Sequence, residues 1–263
     1  MDPDKRVHIQ VNSDYLVASG ISDTGSIRTE NQDSIYLDKG GNFVLLADGM
    51  GGHERGAEAS QTIIDSFPEY LVPEKIKYEI GEITNVEGVP PEVISLFSLI
   101  DKGVNRVNKM LHDKNLEEGL ERYMGSTLVG LVQVKNEYIV WFHVGDSRLY
   151  RYRDNTLSQL TKDHSAYNEW KRMGSEGEEP AKNIISRAMG PKEDVIPDIN
   201  WEENQKDDLY ILCSDGLNDM VNDDQIAEII ADSSDVDDAT VNLVTAALDA
   251  GGKDNTSVIV CKT

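Results

Sequence analysis

Five aspartates in this 263-residue sequence share one local setting: each lies where an apolar, strand-like run begins or ends, beside a glycine or another small polar residue. Asp33 precedes SIYL, Asp48 follows FVLLA and precedes Gly49, and Asp146 follows WFHVG. Asp215 follows LYILCS and precedes Gly216, and Asp254 stands two residues before Thr256 and the last apolar run. Turn formation alone accounts for any single Asp in such a place, because its carboxylate bonds nearby backbone. If the run ends cluster, however, five carboxylates share one cleft, and they cannot all stay ionised there unless a cation answers them. Oxygen donors select hard divalent ions such as Mg2+ or Mn2+, and the sequence has no paired Cys or closely spaced His to suit zinc. Five carboxylates suffice for two or more such ions. The glycines around Asp48, Asp215 and Asp254 allow backbone to approach an ion closely. The sequence lacks G-x-S-x-G, H-E-x-x-H, C-x-x-C and the G-x-x-x-x-G-K phosphate loop, so the chemistries that those motifs carry drop out.

The elements that would have to position these aspartates can be read from apolar spacing. Strands are predicted over 15–22, 34–37 and 42–47, the last two joined through Asp38-Lys39-Gly40-Gly41, a hairpin signal. Helical spacing runs from 55 to about 77, interrupted by Pro68 and Pro73, and a second helix starts after Pro90-Pro91. In that second helix Val93, Phe97, Ile100, Val104, Val107 and Leu111 step by four and three and so share one face. Runs over 126–134, 138–144, 148–152 and 156–160 predict an antiparallel meander in which YIVWFHV is central and RLYRYR is edge-like or half-exposed. Residues 165–180 are polar and glycine-containing, a candidate surface flap. A strand over 208–213, helices over 224–231 and 237–250, and a strand over 257–261 complete the chain. Strands and helices come in blocks, which predicts an α+β layered arrangement rather than alternating βαβ units.

Composition narrows the function. With 25 Lys+Arg against 48 Asp+Glu the net charge is −23, which argues against binding a phosphate backbone and so predicts no nucleic-acid partner. The 39% apolar and 28% charged residues suit a folded chain, read as one domain over 1–263. No apolar stretch approaches the roughly 20 residues of a membrane span, and the N-terminus resembles neither a secretory nor a transit peptide, which predicts a cytoplasmic address away from membranes. Cys213 and Cys261 each end an apolar run, as buried reduced thiols do.

Eight motifs, in order, carry a family resemblance. They are Arg28-Thr29-Glu30-Asn31-Gln32-Asp33, ADGMGGH (47–53), Gly125-Ser126-Thr127, VGDSRLYRYR (144–153), Leu160-Thr161-Lys162-Asp163-His164-Ser165, ISRAMG (185–190), CSDGL (213–217) and GGKDNTS (251–257). Together they resemble the metal-dependent protein phosphatases, the PPM or type 2C serine/threonine phosphatase family, in its compact bacterial form. The resemblance implies a four-layer α-β-β-α sandwich, its central antiparallel β-sandwich flanked by helices, with a binuclear Mg2+ or Mn2+ centre in a cleft at one end. Carried over residue by residue, it makes Asp33, Asp48, Asp215 and Asp254 ligands, Gly49 a ligand through its carbonyl, and Asp146 part of a weaker third site. It makes Arg28 the clamp on the substrate phosphate and puts His53 near the leaving group. A metal-bridging water would hydrolyse phosphoserine and phosphothreonine esters, the substrates being phosphoproteins made by a serine/threonine kinase and the enzyme a monomer.

Two departures bear on substrate choice: the flap segment over 165–183 is short, and the family's Thr-Arg-Ala-Leu-Gly is here Ser186-Arg187-Ala188-Met189-Gly190. The net charge of −23 leads to the expectation that basic residues flanking a phosphosite help it bind. A binding module that keeps the fold without turnover, and a phosphatase of small molecules or phosphodiesters, are the competing classes.

Overall fold

The computed structural model describes residues 6–51, 55–72, 88–181 and 184–263. Its central strands Phe43–Met50, Leu128–Val134, Tyr138–Val144, Leu209–Cys213 and Thr256–Lys262 are apolar on both faces, and the architecture buries both, whereas the outer strands are only partly buried. One sheet has the order β1 (Arg6–Asn12), β2 (Val17–Asp23), β12 (Thr256–Lys262), β11 (Leu209–Cys213), β8 (Arg148–Arg153) and β9 (Thr156–Gln159). The other has the order β10 (Asp198–Glu203), β7 (Tyr138–Val144), β6 (Leu128–Val134), β4 (Phe43–Met50) and β3 (Asp33–Leu37), with β5 (Gly125–Ser126) paired to the end of β4. Every pairing is antiparallel.

The period of two sorts each strand's side chains between two cores. Val44 and Leu46 meet Leu212 and Ile259 between the sheets, while Phe43, Leu45 and Ala47 of the same strand face the helices α1 (Arg55–Ser66) and α2 (Pro91–Glu117). On the far side Ile211, Cys213, Val258 and Val260 pack against α4 (Asp215–Asn218), α5 (Asp223–Asp232) and α6 (Val236–Asp249). Three apolar seams between four layers make the α-β-β-α sandwich. The α2 stripe lies as the spacing predicts: Val93, Ile100, Val104, Val107 and Leu111 are buried and Phe97 packs against their cluster. Pro91 opens that helix at a position where a missing N–H costs nothing.

Four features differ from the sequence expectation. The first helix stops at Ser66 and tightens into a 3-10 turn over Phe67–Tyr70, because Pro68 enters there; residues 73–77 lie outside the described residues. Strands β1 and β10 were not expected. The four-run meander is two hairpins in two sheets: β6–β7 belongs to one sheet and β8–β9 to the other, and the chain crosses between them at Gly145-Asp146-Ser147. Strand β8 is accordingly interior, between β11 and β9, rather than an edge. Gly145 makes the crossing at φ 109°, where a Cβ would stand 2.6 Å from the Thr127 side chain, so both conformation and space require glycine.

The thiols of Cys213 and Cys261 are free and buried, and burial pushes both up to about 12. Among the described residues, no helix is long and apolar enough to cross a membrane.

Candidate metal centre and active site

The two sheets deliver the flagged aspartates to one place. Asp33 and Asp48 are directly paired across β3 and β4. Asp215 opens α4 right after β11, Asp254 precedes β12 by two residues, and Asp146 sits on the crossing between the sheets. The carboxylates feel one another. Asp48 is held well above the usual carboxylate range, first by burial and then by the negative charges of Asp33, Asp215, Asp146 and Asp254. Asp215 is pushed up to about 8 by burial, with Asp146, Asp33 and Asp254 adding to it. Burial raises Asp33 to about 6, and the charge of Asp254 adds to this, against hydroxyls of Ser257 and Ser214 that favour the ionised form. Asp146 also rises to about 6, chiefly by burial.

Small polar side chains fix these acids. Ser214 Oγ donates to Asp33 Oδ2 at 2.8 Å and accepts from Ser257 N–H at 3.0 Å, tying the acid of one sheet to two strands of the other. Thr127 Oγ1 accepts from Asp48 N–H at 3.0 Å and bonds Ser147 Oγ at 2.7 Å, linking the Asp48 strand to the Asp146 crossing. Ser126 Oγ and Thr127 N–H both donate to the Asp48 carbonyl. Strand β5 is anchored in turn by the buried Asn115 of α2, which accepts from Met124 N–H and donates to the Met124 and Gly190 carbonyls.

Gly49 is required by space: a Cβ there would stand 2.0 Å from the Gly56 carbonyl and 2.6 Å from that of Gln32. A Cβ on Gly56 would come 2.8 Å from the Gly49 carbonyl, so glycine at 56 keeps that oxygen uncovered. The donor set of carboxylates plus the Gly49 carbonyl fits hard divalent cations, and the burial and repulsion that raise Asp33, Asp48 and Asp215 are what a cation would relieve.

Arg28, on the loop between β2 and β3, reaches the site but rests on an acid: Nη2 donates to Asp254 Oδ2 at 2.7 Å, and both side chains are substantially exposed. That hydrogen bond is the main cause of the raised guanidinium pKa. An incoming phosphate and a cation on Asp254 would therefore have to part this pair, which is cheap at such exposure. His53 lies outside the described residues. Sequence reasoning gave no role to Asn255, which organises the Arg28 loop: its Oδ1 accepts from Gln32 N–H, and its Nδ2 donates to the Thr24 and Glu30 carbonyls. Its place in GGKDNTS was the one available signal.

A second cluster brings ligand atoms of His143, His164 and Asp198 within 4.8 Å of one another. The two rings stack at 4.4 Å and 17°, so their in-plane lone pairs run parallel instead of converging on one ion. His164 Nδ1 accepts from Gly145 N–H at 3.0 Å, which leaves the ring proton on Nε2. Burial lowers both imidazoles, that of His164 to about 4, and the pair packs neutral beside the Arg187–Asp198 ion pair. His164 thus packs and bonds locally.

The sequence profile of protein phosphatase 2C matches residues 27–249. The chain belongs to the protein phosphatase 2C family. It is 33% identical over 246 residues to the protein phosphatase PhpP of Streptococcus pneumoniae, covering 90% of this chain and 94% of that one. Among solved structures, the S. agalactiae serine/threonine phosphatase superposes with a TM-score of 0.80 at 28% identity, covering 95% of this chain and all of that one. The catalytic domain of the serine/threonine protein phosphatase PstP, solved with two manganese ions, gives a TM-score of 0.76 at 32% identity over 94% of this chain and 98% of that one. The layered fold of this phosphatase 2C chain is therefore shared with the family's bacterial members.

Proposed function

We propose that this chain is a metal-dependent phosphoprotein phosphatase that hydrolyses phosphoserine and phosphothreonine esters. The observation that carries the reading is the convergence of Asp33, Asp48, Asp215 and Asp254, from two sheets, on a site where burial and neighbouring negative charge raise the carboxyls of Asp33, Asp48 and Asp215. Asp33, Asp48, Asp215, Asp254 and the Gly49 carbonyl would hold two Mn2+ or Mg2+ ions, and Asp146 a weaker third. When bound, such ions would supply Lewis acidity and lower the pKa of a water so that it can act as nucleophile. The likeness to PstP with two manganese ions supports this assignment.

Arg28 leaves Asp254 for the substrate, its planar fork of donors matching two phosphoryl oxygens and neutralising their charge. Ser214, Thr127 and Ser126 hold the carboxylates in register, so the charge distribution is set before substrate arrives. His53, in the motif that follows Asp48, would stand near the leaving oxygen. We propose further that the chain works as one catalytic domain, with 165–183 as a variable flap, as a cytoplasmic monomer opposing a serine/threonine kinase.

The test is hydrolysis of a phosphothreonine peptide with Mn2+ and with chelator. Turnover is expected only with the metal, and is lost in Asp215→Asn. Activity that survives chelation, or survives D215N, overturns the reading.

A further inference from the structure

A groove of about 1030 Å3 leads away from Asp146 and Asp215 to the short helix α3 (Ala166–Arg172). Its charge departs from that of the chain. Apart from the two aspartates of the metal centre, it is lined by five cations and four acids, whereas the whole chain has 25 cations to 48 acids. Two of the cations are engaged: Arg148 donates to both oxygens of Asp163, and Arg187 pairs with Asp198. Lys162, Lys171 and Arg172 form no ion pair among the described residues and are exposed. The Lys171 ammonium sits 4.5 Å over the Tyr167 ring, which holds it in place.

Helix α3 buries none of its residues, so apolar burial does not account for its position. Polar contacts at its base hold it. Ser165 Oγ accepts from Asn168 N–H, Asn168 Nδ2 donates to the Asp163 carbonyl at 3.0 Å, and Ala166 N–H donates to the Ile184 carbonyl at 2.8 Å. Tyr167 with Lys171, and Asn168 with Arg172, are four residues apart and therefore share the face that lines the groove.

We propose that Lys162, Lys171 and Arg172 are specificity residues that receive an acidic flank of the phosphoprotein, so that the enzyme prefers phosphosites neighboured by Asp and Glu. The inference rests on the phosphatase reading of the adjoining centre and reverses the expectation drawn from net charge. At physiological salt the Debye length is about 8 Å, so distant acids are screened; within the groove Arg148 answers Asp163 and Arg187 answers Asp198, and Lys162, Lys171 and Arg172 outnumber Glu169 and Asp219.

The experiment compares kcat/KM on three phosphothreonine peptides of equal length flanked by Asp/Glu, by Ala or by Lys. Three exposed contacts at about twofold each give a preference of about tenfold for the acidic over the neutral peptide at low salt, carried by KM and shrinking as salt rises. The triple variant Lys162→Ala, Lys171→Ala, Arg172→Ala is expected to bring the ratio near one. The corresponding triple Glu variant is expected to favour the Lys-flanked peptide, a reversal that misfolding cannot produce. A wild-type ratio within about twofold of one, or an acidic preference kept by the Glu variant, overturns the inference. Manganese-dependent turnover of an aryl phosphate by the wild type separates the two readings. Its absence refutes the centre, whereas its presence with a flat peptide ratio refutes only the groove.

Discussion

Replacing Asp215 by Asn in the metal-free protein should stabilise it, and increasingly so as pH rises. In the folded chain the Asp215 carboxyl is raised from 3.8 to about 8, so the native state keeps a proton that the unfolded chain sheds near pH 4. A raised carboxyl contributes stability that is fully present below its unfolded pKa and is lost as pH rises through its folded one, at up to ~1.4 kcal/mol per pH unit. Between pH 5 and pH 7 the loss of that proton therefore withdraws on the order of 3 kcal/mol, a loss that asparagine cannot suffer. For a chain of this size that corresponds to a gap in melting temperature that widens by ~5–10 °C across the same interval. The assay is thermal unfolding followed by circular dichroism in chelator, wild type against D215N, at pH 5, 6 and 7. Saturating Mn2+ should then raise the wild type at pH 7 far more than the variant, because the cation replaces the proton as counter-charge. Melting curves that stay parallel across pH would refute the reasoning, since they would mean that burial and the neighbouring acids do not hold the Asp215 carboxyl neutral.

Arg28→Ala should leave the melting temperature within ~2 °C of wild type, because its partner Asp254 is itself exposed, yet lower kcat/KM on a phosphopeptide by about a hundredfold, with Arg28→Lys restoring little. Thr127→Val removes the acceptor of the Asp48 N–H and the link to Ser147; it should cost ~1–3 kcal/mol and weaken Mn2+ by about tenfold or more in a calorimetric titration, with Thr127→Ser recovering most of both.

The acids and the elements that carry them were legible in the sequence because each mark is local. An Asp beside a glycine at the end of an apolar run, as at Asp48 and Asp215, marks a strand end, and eight motifs in family order carry the resemblance that implies the layers. The partition of the strands was not legible. The turn 145–147 reads as another hairpin, and nothing within those residues says that Thr127 lies where a Cβ of Gly145 would go, sending β8 into the other sheet. Strand β1 does alternate, through Val7, Ile9 and Val11, but as an edge strand only partly buried it lacks the apolar run that marked the others. The Arg28–Asp254 pair joins residues 226 positions apart, so no spacing rule reaches it. The same holds for the groove: a chain of −23 reads as uniformly acidic until folding gathers five of its 25 cations around one groove.

The division of the proposed ligands between the sheets has a mechanical consequence. Asp33 and Asp48 ride on one sheet, Asp215 and Asp254 on the other, and Asp146 on the strap between them. An ion seated among them is a rivet through two plates. Sliding either plate by a fraction of a residue would unseat it, so the leucines and valines clamped between the sheets, far from any phosphate, would set how firmly such an ion is gripped.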